Sequence, residues 1–193
     1  MRRHAVLAAG LVALTLCAGT GAGAAASLVL GDAEKRQALA YGRQSAQREN
    51  FDAEWRVTNG AGDSLLVITP FHRLVIAARH SAFRDAPMRP NEPDRLLREQ
   101  KDRLVLSVHL RGRGDEFSRS FVPELLVGER TVKASFVQND RTPERIADGI
   151  VLARCTYAFP VKELEGAARV VLVVTDASGR EASRFAIDLA SMR

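Results

Sequence analysis

The stretch Leu104-Val105-Leu106-Ser107-Val108-His109-Leu110-Arg111 decides the fold class. Leu104, Leu106, Val108 and Leu110 fall on one side of an extended chain; Val105, Ser107, His109 and Arg111 fall on the other. Successive side chains of a strand point to opposite faces, so a period of two marks a strand with one dry and one wet face. The period recurs downstream. Val132, Ala134 and Phe136 alternate with Lys133 and Ser135. Val151, Ala153, Cys155, Tyr157 and Phe159 alternate with Arg154 and Thr156, and Phe185, Ile187 and Leu189 with Arg184 and Asp188. Residues 117–127 and 170–175 supply further strands, and Asp176-Ala177-Ser178-Gly179-Arg180 is a short hairpin loop between the last two.

Upstream, Trp55-Arg56-Val57-Thr58, the turn Asn59-Gly60-Ala61-Gly62-Asp63 and residues 64–69 read as strand, turn, strand. Thr69-Pro70 has the form of a helix start, with Thr as N-cap and Pro in the first turn, and residues 71–84 are the helix. The proline-punctuated stretch 86–93 breaks it, and residues 94–101 form a second, short helix. Six strands from Arg103 onward and two before the helices predict a mainly β fold. The expected fold is an antiparallel immunoglobulin-like β-sandwich with a short helical insertion at about 70–101 and an N-terminal helix. Two landmarks of that fold are missing: there is no cysteine pair, and the Tyr-x-Cys order is reversed in Cys155-Thr156-Tyr157.

The domain expectation is a signal peptide over 1–26, a polar helix or linker over 27–50, and a sandwich domain over 51–193. Met1-Arg2-Arg3-His4 is a basic start, residues 5–16 are apolar, and residues 19–26 are small, which is the order of a secretory signal cut after Ala24 or Ala26. Residues 5–30 are also long enough to span a bilayer uncleaved, as a membrane anchor. Cys17 follows the bulky Leu16, which argues against lipid attachment. The expected location is periplasmic or secreted, with anchoring as the alternative. Residues 32–50 carry a thin apolar face, Leu39, Tyr41 and a few Ala interrupted by Gly42, and read as a marginal helix or a stalk.

With 193 residues, 46% hydrophobic and 26% charged, the composition excludes collagen-like, low-complexity and disulfide-dense classes. Without Arg2 and Arg3 the 28 basic residues fall to 26 against 23 acidic, a mild excess that does not indicate a nucleic-acid binder. Cys155 is then the one remaining cysteine, so no internal disulfide is expected.

Several motifs spell chemistry. Gly62-Asp63-Ser64-Leu65 resembles the nucleophile block of the GDSL esterases and lipases. The resemblance covers four residues; no Asp stands three residues before any of His4, His72, His80 or His109, so the block lacks its base. Cys155 with His109 is a conceivable dyad, but the alternation puts Cys155 on the dry face and His109 on the wet one. His72 and His80 lie eight residues apart on one helix, about 80° apart around its axis and too far along it for one metal. Asp140, Glu144 and Asp148 cluster in a polar loop but lack the order of a calcium loop, and Arg113-Gly114-Asp115 is a turn composition, so no cofactor or metal is expected.

The most informative feature is the helical insertion. Residues 72–98 hold six Arg and three acids. On a helical wheel His72, Arg73, Arg79, His80 and Arg84 gather on one broad face, with Ile76 and Phe83 in its middle. These seven residues are the candidate contacts. Apolar groups ringed by arginine fit an anionic surface or an acidic partner. The functional expectation is an exported, non-enzymatic cell-envelope domain that binds a protein partner or an anionic surface; the alternative is a hydrolase using Ser64 or Cys155 as nucleophile. A third reading makes residues 32–50 a passive stalk.

Overall fold

The computed structural model describes residues 28–100, 102–164 and 167–193. The expected signal segment over 1–26, Cys17 included, lies outside them. Among the described residues no helix is long and apolar enough to cross a membrane.

In chain order the elements are α1 (Asp32–Gln44), β1 (Arg56–Thr58), β2 (Ser64–Ile68), α2 (Pro70–Phe83), α3 (Glu92–Gln100), β3 (Arg103–Gly112), β4 (Val122–Val127), β5 (Arg130–Lys133), β6 (Phe136–Gln138), β7 (Glu144–Ala147), β8 (Ile150–Pro160), β9 (Arg169–Thr175) and β10 (Glu181–Asp188). One sheet runs β1-β2-β3-β8-β6, with β7 also paired to β8; the other runs β10-β9-β4-β5. All the pairings are antiparallel.

The deciding stretch is the middle of the first sheet. Leu104 faces Phe159, Leu106 faces Tyr157 and Val108 faces Cys155 across the β3–β8 ladder, and all six side chains are buried. Leu125, Leu172 and Phe185 form the matching row of the second sheet. Both rows belong to one hydrophobic cluster, so the molecule is a mainly β, sandwich-like structure of two antiparallel sheets with helices at one end. Each large side chain in that cluster contributes about 1.5–3 kcal/mol through burial.

Three readings of the chain are corrected. Residues 132–136 are not one strand: β5 pairs with β4, β6 pairs with β8, and the chain changes sheet between them. At the crossing the Ser135 N–H donates to the Ala158 carbonyl at 2.8 Å, so this backbone donor keeps a partner as the chain passes from one sheet to the other. Alternation continues through the crossing, which hid it. Residues 144–147 read as polar loop because β7 is exposed on both faces and carries no alternation. The strand expected over 117–127 begins only at Val122; before it the chain turns, and Phe117 packs edge-on to Phe121 at 5.5 Å between ring centres.

Helix α2 starts where expected, whereas α3 begins at Glu92, two residues before the expected start at 94. Thr69 Oγ1 accepts the His72 N–H at 3.1 Å, and Pro70 opens α2. The N-cap of α1 is Gly31 rather than Asp32, with Glu34 accepting the Gly31 N–H at 2.7 Å. Gly42, which interrupts the apolar face of α1 in the sequence, is the point where α1 meets α2. A Cβ there would stand 2.5 Å from the Val75 carbonyl oxygen and 2.7 Å from the Ala78 Cβ. The thin face of α1 thus packs by closeness of backbone, and the helix lies against α2 rather than standing free.

Gly42→Ala is therefore expected to destabilise the protein by about 1–3 kcal/mol, because backbone atoms cannot yield as a flexible side chain would. Gly60→Ala, at a site with nothing within 4 Å, serves as control in the same denaturant titration. Equal midpoints for the two variants would contradict the close-packing account.

Candidate functional site

The base of α2 is held by an aromatic cluster. His72 is fully buried and stacks on Trp55 with ring centres 4.2 Å apart and an interplanar angle of 8°. Trp55 also stacks with Phe71 at 6.2 Å and meets the Tyr41 edge at 6.2 Å. Trp55 Nε1 donates to the Arg193 carbonyl at 2.8 Å, and Thr69 Oγ1 donates to the same oxygen at 2.6 Å. The Arg193 guanidinium lies over Tyr41, at 4.8 Å from its ring centre, and pairs with Glu54 at 2.6 Å. The chain segment after β10, the segment before β1, α1 and α2 are thereby tied at one point.

Farther along α2 the tie continues through Arg79. Its guanidinium donates to the carbonyls of Ser45 at 3.1 Å and Arg48 at 3.0 Å, and lies 4.2 Å from the Phe51 ring centre. These bonds satisfy carbonyls at and beyond the C-terminal end of α1.

The other end of α2 closes in a Schellman motif. The Ala86 N–H donates to Ser81 O at 3.0 Å and the Asp85 N–H to Ala82 O at 3.2 Å, with Asp85 in the left-handed region at φ 49°. This closure turns the chain back beside α2. Between α2, the returning loop and the start of α3 lies a groove of about 390 Å³. Ile76, Ala77, Met88 and Leu96 supply its apolar lining, and Arg73, His80, Arg84 and Arg89 its basic lining. Glu92 also lines it, but its carboxylate caps the Arg89 N–H at 3.2 Å. Arg73, Arg84 and Arg89 have no carboxylate within ion-pair distance among the described residues. Elsewhere, Arg56, Arg119, Arg154, Arg180 and Arg184 each hold an acid within 3 Å.

The seven sequence candidates therefore separate. Arg73, Ile76, His80 and Arg84 come together at the groove. His72 is a correction: it is not on the basic face but in the core under Trp55. The helical wheel misled because it counts polarity, while the imidazole is accommodated by stacking. Arg79 binds α1 rather than facing outward. Phe83 is 78% exposed and does not line the groove. Sequence reading missed Ala77, Met88, Arg89 and Leu96; the proline-punctuated break was the available signal, since it is what folds back.

The other motifs resolve differently. Asp63 of the Gly-Asp-Ser-Leu block is buried and structural: it accepts the Arg111 N–H at 2.8 Å and the Ser183 hydroxyl at 2.7 Å, joining the two sheets. Ser64, however, stands directly opposite His109 across the β2–β3 ladder, a neighbour the spacing did not reveal. No hydrogen bond joins them among the described residues, and no carboxylate orients the imidazole. Partial burial, and then the Arg154 and Arg56 cations, hold the His109 pKa below its usual value. Cys155 is fully buried, opposite Val108, and burial raises its thiol pKa, as suits a core cysteine. His109 faces Arg154 instead, so no Cys155–His109 dyad forms. A larger hollow of about 670 Å³ beside β6 is lined by Arg119, Asp140, Arg141 and Arg154; the Asp140 carboxylate takes the Arg154 N–H at 2.9 Å, Arg154 pairs with Glu144 and Arg119 with Glu116, while Arg141 has no carboxylate partner among the described residues. Among the described residues no group of three or more His, Cys, Asp or Glu is placed to hold a metal.

Burial pushes His72 down from 6.5 to about 4, against the opposing pull of the Val67 carbonyl. That carbonyl can only accept, so Nδ1 carries the hydrogen of the 3.1 Å bond, and Nε2 keeps a buried lone pair without a partner. Between pH 6.5 and 4 the unfolded chain binds a proton that the native one refuses, so stability falls as pH drops through that window. The loss reaches about 3 kcal/mol by pH 4. Denaturant titrations of the native protein and His72→Phe at pH 7, 5.5 and 4.5 are expected to show a flatter dependence in the variant; parallel dependences would contradict it.

No protein-family model, no curated protein and no solved structure matches this chain, and a sandwich-like fold by itself specifies no function.

Proposed function

We propose that the protein is an exported, non-enzymatic envelope domain that binds an anionic partner in the groove between α2 and α3. One observation carries the reading: Arg73, Arg84 and Arg89 converge on an apolar-lined groove without a carboxylate to pair with. Cations left unpaired beside apolar surface are complementary to a ligand that is anionic and partly apolar. Export is supported by the order of Arg2-Arg3, the apolar run and the small residues.

An immunoglobulin-like arrangement accords with the strand orders. With β2, β3, β4, β5, β6, β8, β9 and β10 taken as A, B, C, C′, D, E, F and G, one sheet reads A-B-E-D and the other G-F-C-C′. The helical pair is then an insertion in the A–B connection, and loops of such sandwiches commonly carry the binding site. A second, hydrolytic reading draws on Ser64 standing opposite His109.

A photo-crosslinking residue at Ala77, with one at Ala177 in the β9–β10 loop as control, tests both in intact cells of the host. The expected result is an adduct from position 77 alone, lost in the double variant Arg84→Glu, Arg89→Glu. Adducts independent of those charges, or none at position 77, would contradict the groove reading. Ester hydrolysis by the native protein that disappears in Ser64→Ala would favour the second.

A further inference from the structure

One large apolar side chain of α2 lies outside the groove lining. Phe83 is 78% exposed at the C-terminal end of α2, next to Arg84. The Schellman closure at Ser81–Ala86 fixes that end, so Phe83 is held outward by a built turn. Beyond it the exposed loop continues through Pro87, Arg89 and Pro90, with Met88 half-buried against the groove. The end of the helical hairpin thus carries a large apolar group, two arginines without an ion pair, the acid Asp85, and Glu92, whose carboxylate caps the Arg89 N–H.

Resting on the groove reading above, we propose that this end of the hairpin docks on an anionic lipid bilayer, with Phe83 in the acyl boundary and Arg84 and Arg89 on phosphate headgroups. A wholly acidic protein segment would satisfy the arginines and leave Phe83 in water. A neutral apolar partner would cover Phe83 and leave the cations bare. A bilayer supplies both chemistries in the required order, anions above hydrocarbon, within the 5–10 Å depth reached by interfacial anchors. The concave groove behind the tip gives the headgroup charge a place beside His80 and Arg73. Because the turn is already closed by its own backbone, docking orders no loop.

The full chain carrying Phe83→Trp reports this locally, whatever its N-terminal segment does. With vesicles of phosphatidylglycerol, the added tryptophan is expected to shift its emission to the blue and to be quenched by brominated acyl chains. Native protein under the same conditions reports buried Trp55 as background. Phosphatidylcholine vesicles, or Arg84→Glu with Arg89→Glu in the same background, are expected to weaken the apparent partitioning about tenfold or more. A water-like emission at position 83 with anionic vesicles overturns the proposal. If that happens while charge-dependent crosslinking from Ala77 to a protein persists, the groove reading stands and its partner is protein. If the crosslink is absent as well, both fall.

Discussion

The stacking of Trp55 on His72 is the constraint on which the helical end of the molecule depends. A neutral imidazole lies flat on an indole, with its one donor on the Val67 carbonyl and its other nitrogen sealed from water. Around that pair close Tyr41 of α1, Phe71 of α2 and the Arg193 backbone. Segments from both ends of the described chain meet there. A helical pair inserted between two strands would otherwise be a loosely attached excursion, since α3 contributes only Leu96 and Gln100 to the buried set. The node fixes the first turn of α2, Arg79 fixes its middle to α1, and the Schellman turn fixes its end. What remains free is the face toward α3, where the groove lies.

That division of labour explains why similar residues have different fates. Arg79 and Arg193 lie over aromatic rings and donate to carbonyls or a carboxylate, which is how a cation becomes part of a fold. Arg73, Arg84 and Arg89 have no such partner and border apolar surface. In the sheets, Arg56, Arg154 and Arg184 each pair with a carboxylate. Asp63 joins the two sheets, and the wet face of the first sheet presents Ser64, Ser107, His109 and Thr156 as a half-buried polar row, with Ser64 opposite His109 the one juxtaposition of chemical interest.

Most of the sheet architecture was legible in the sequence because period-two alternation is a direct image of a half-buried strand. Leu104 to Leu110, Val151 to Phe159 and Phe185 to Leu189 each report their buried face residue by residue. Alternation does not report partners, however. It ran unbroken across Ser135, where the chain changes sheet, and it was absent from β7, whose two faces are both wet. The helix start at Thr69-Pro70 was legible because capping is local chemistry. Gly42 looked like a flaw in α1 for the same reason: its meaning lies in the Val75 carbonyl, 33 residues away in the chain. The groove was half legible. Charge and wheel position brought out Arg73, Ile76, His80 and Arg84, whereas Arg89 and Met88 join them only because Asp85 adopts a left-handed turn that no residue spacing announces.

Backbone hydrogen exchange, measured with and without isolated envelope membranes of the host, tests the central claim most directly, since it is blind to whether the partner is lipid or protein. The account predicts slowed exchange confined to the second half of α2, the loop over 84–91 and the first turn of α3, with the sheets unchanged. Protection appearing on the β2–β3–β8 face instead, or nowhere in the described residues, would contradict it.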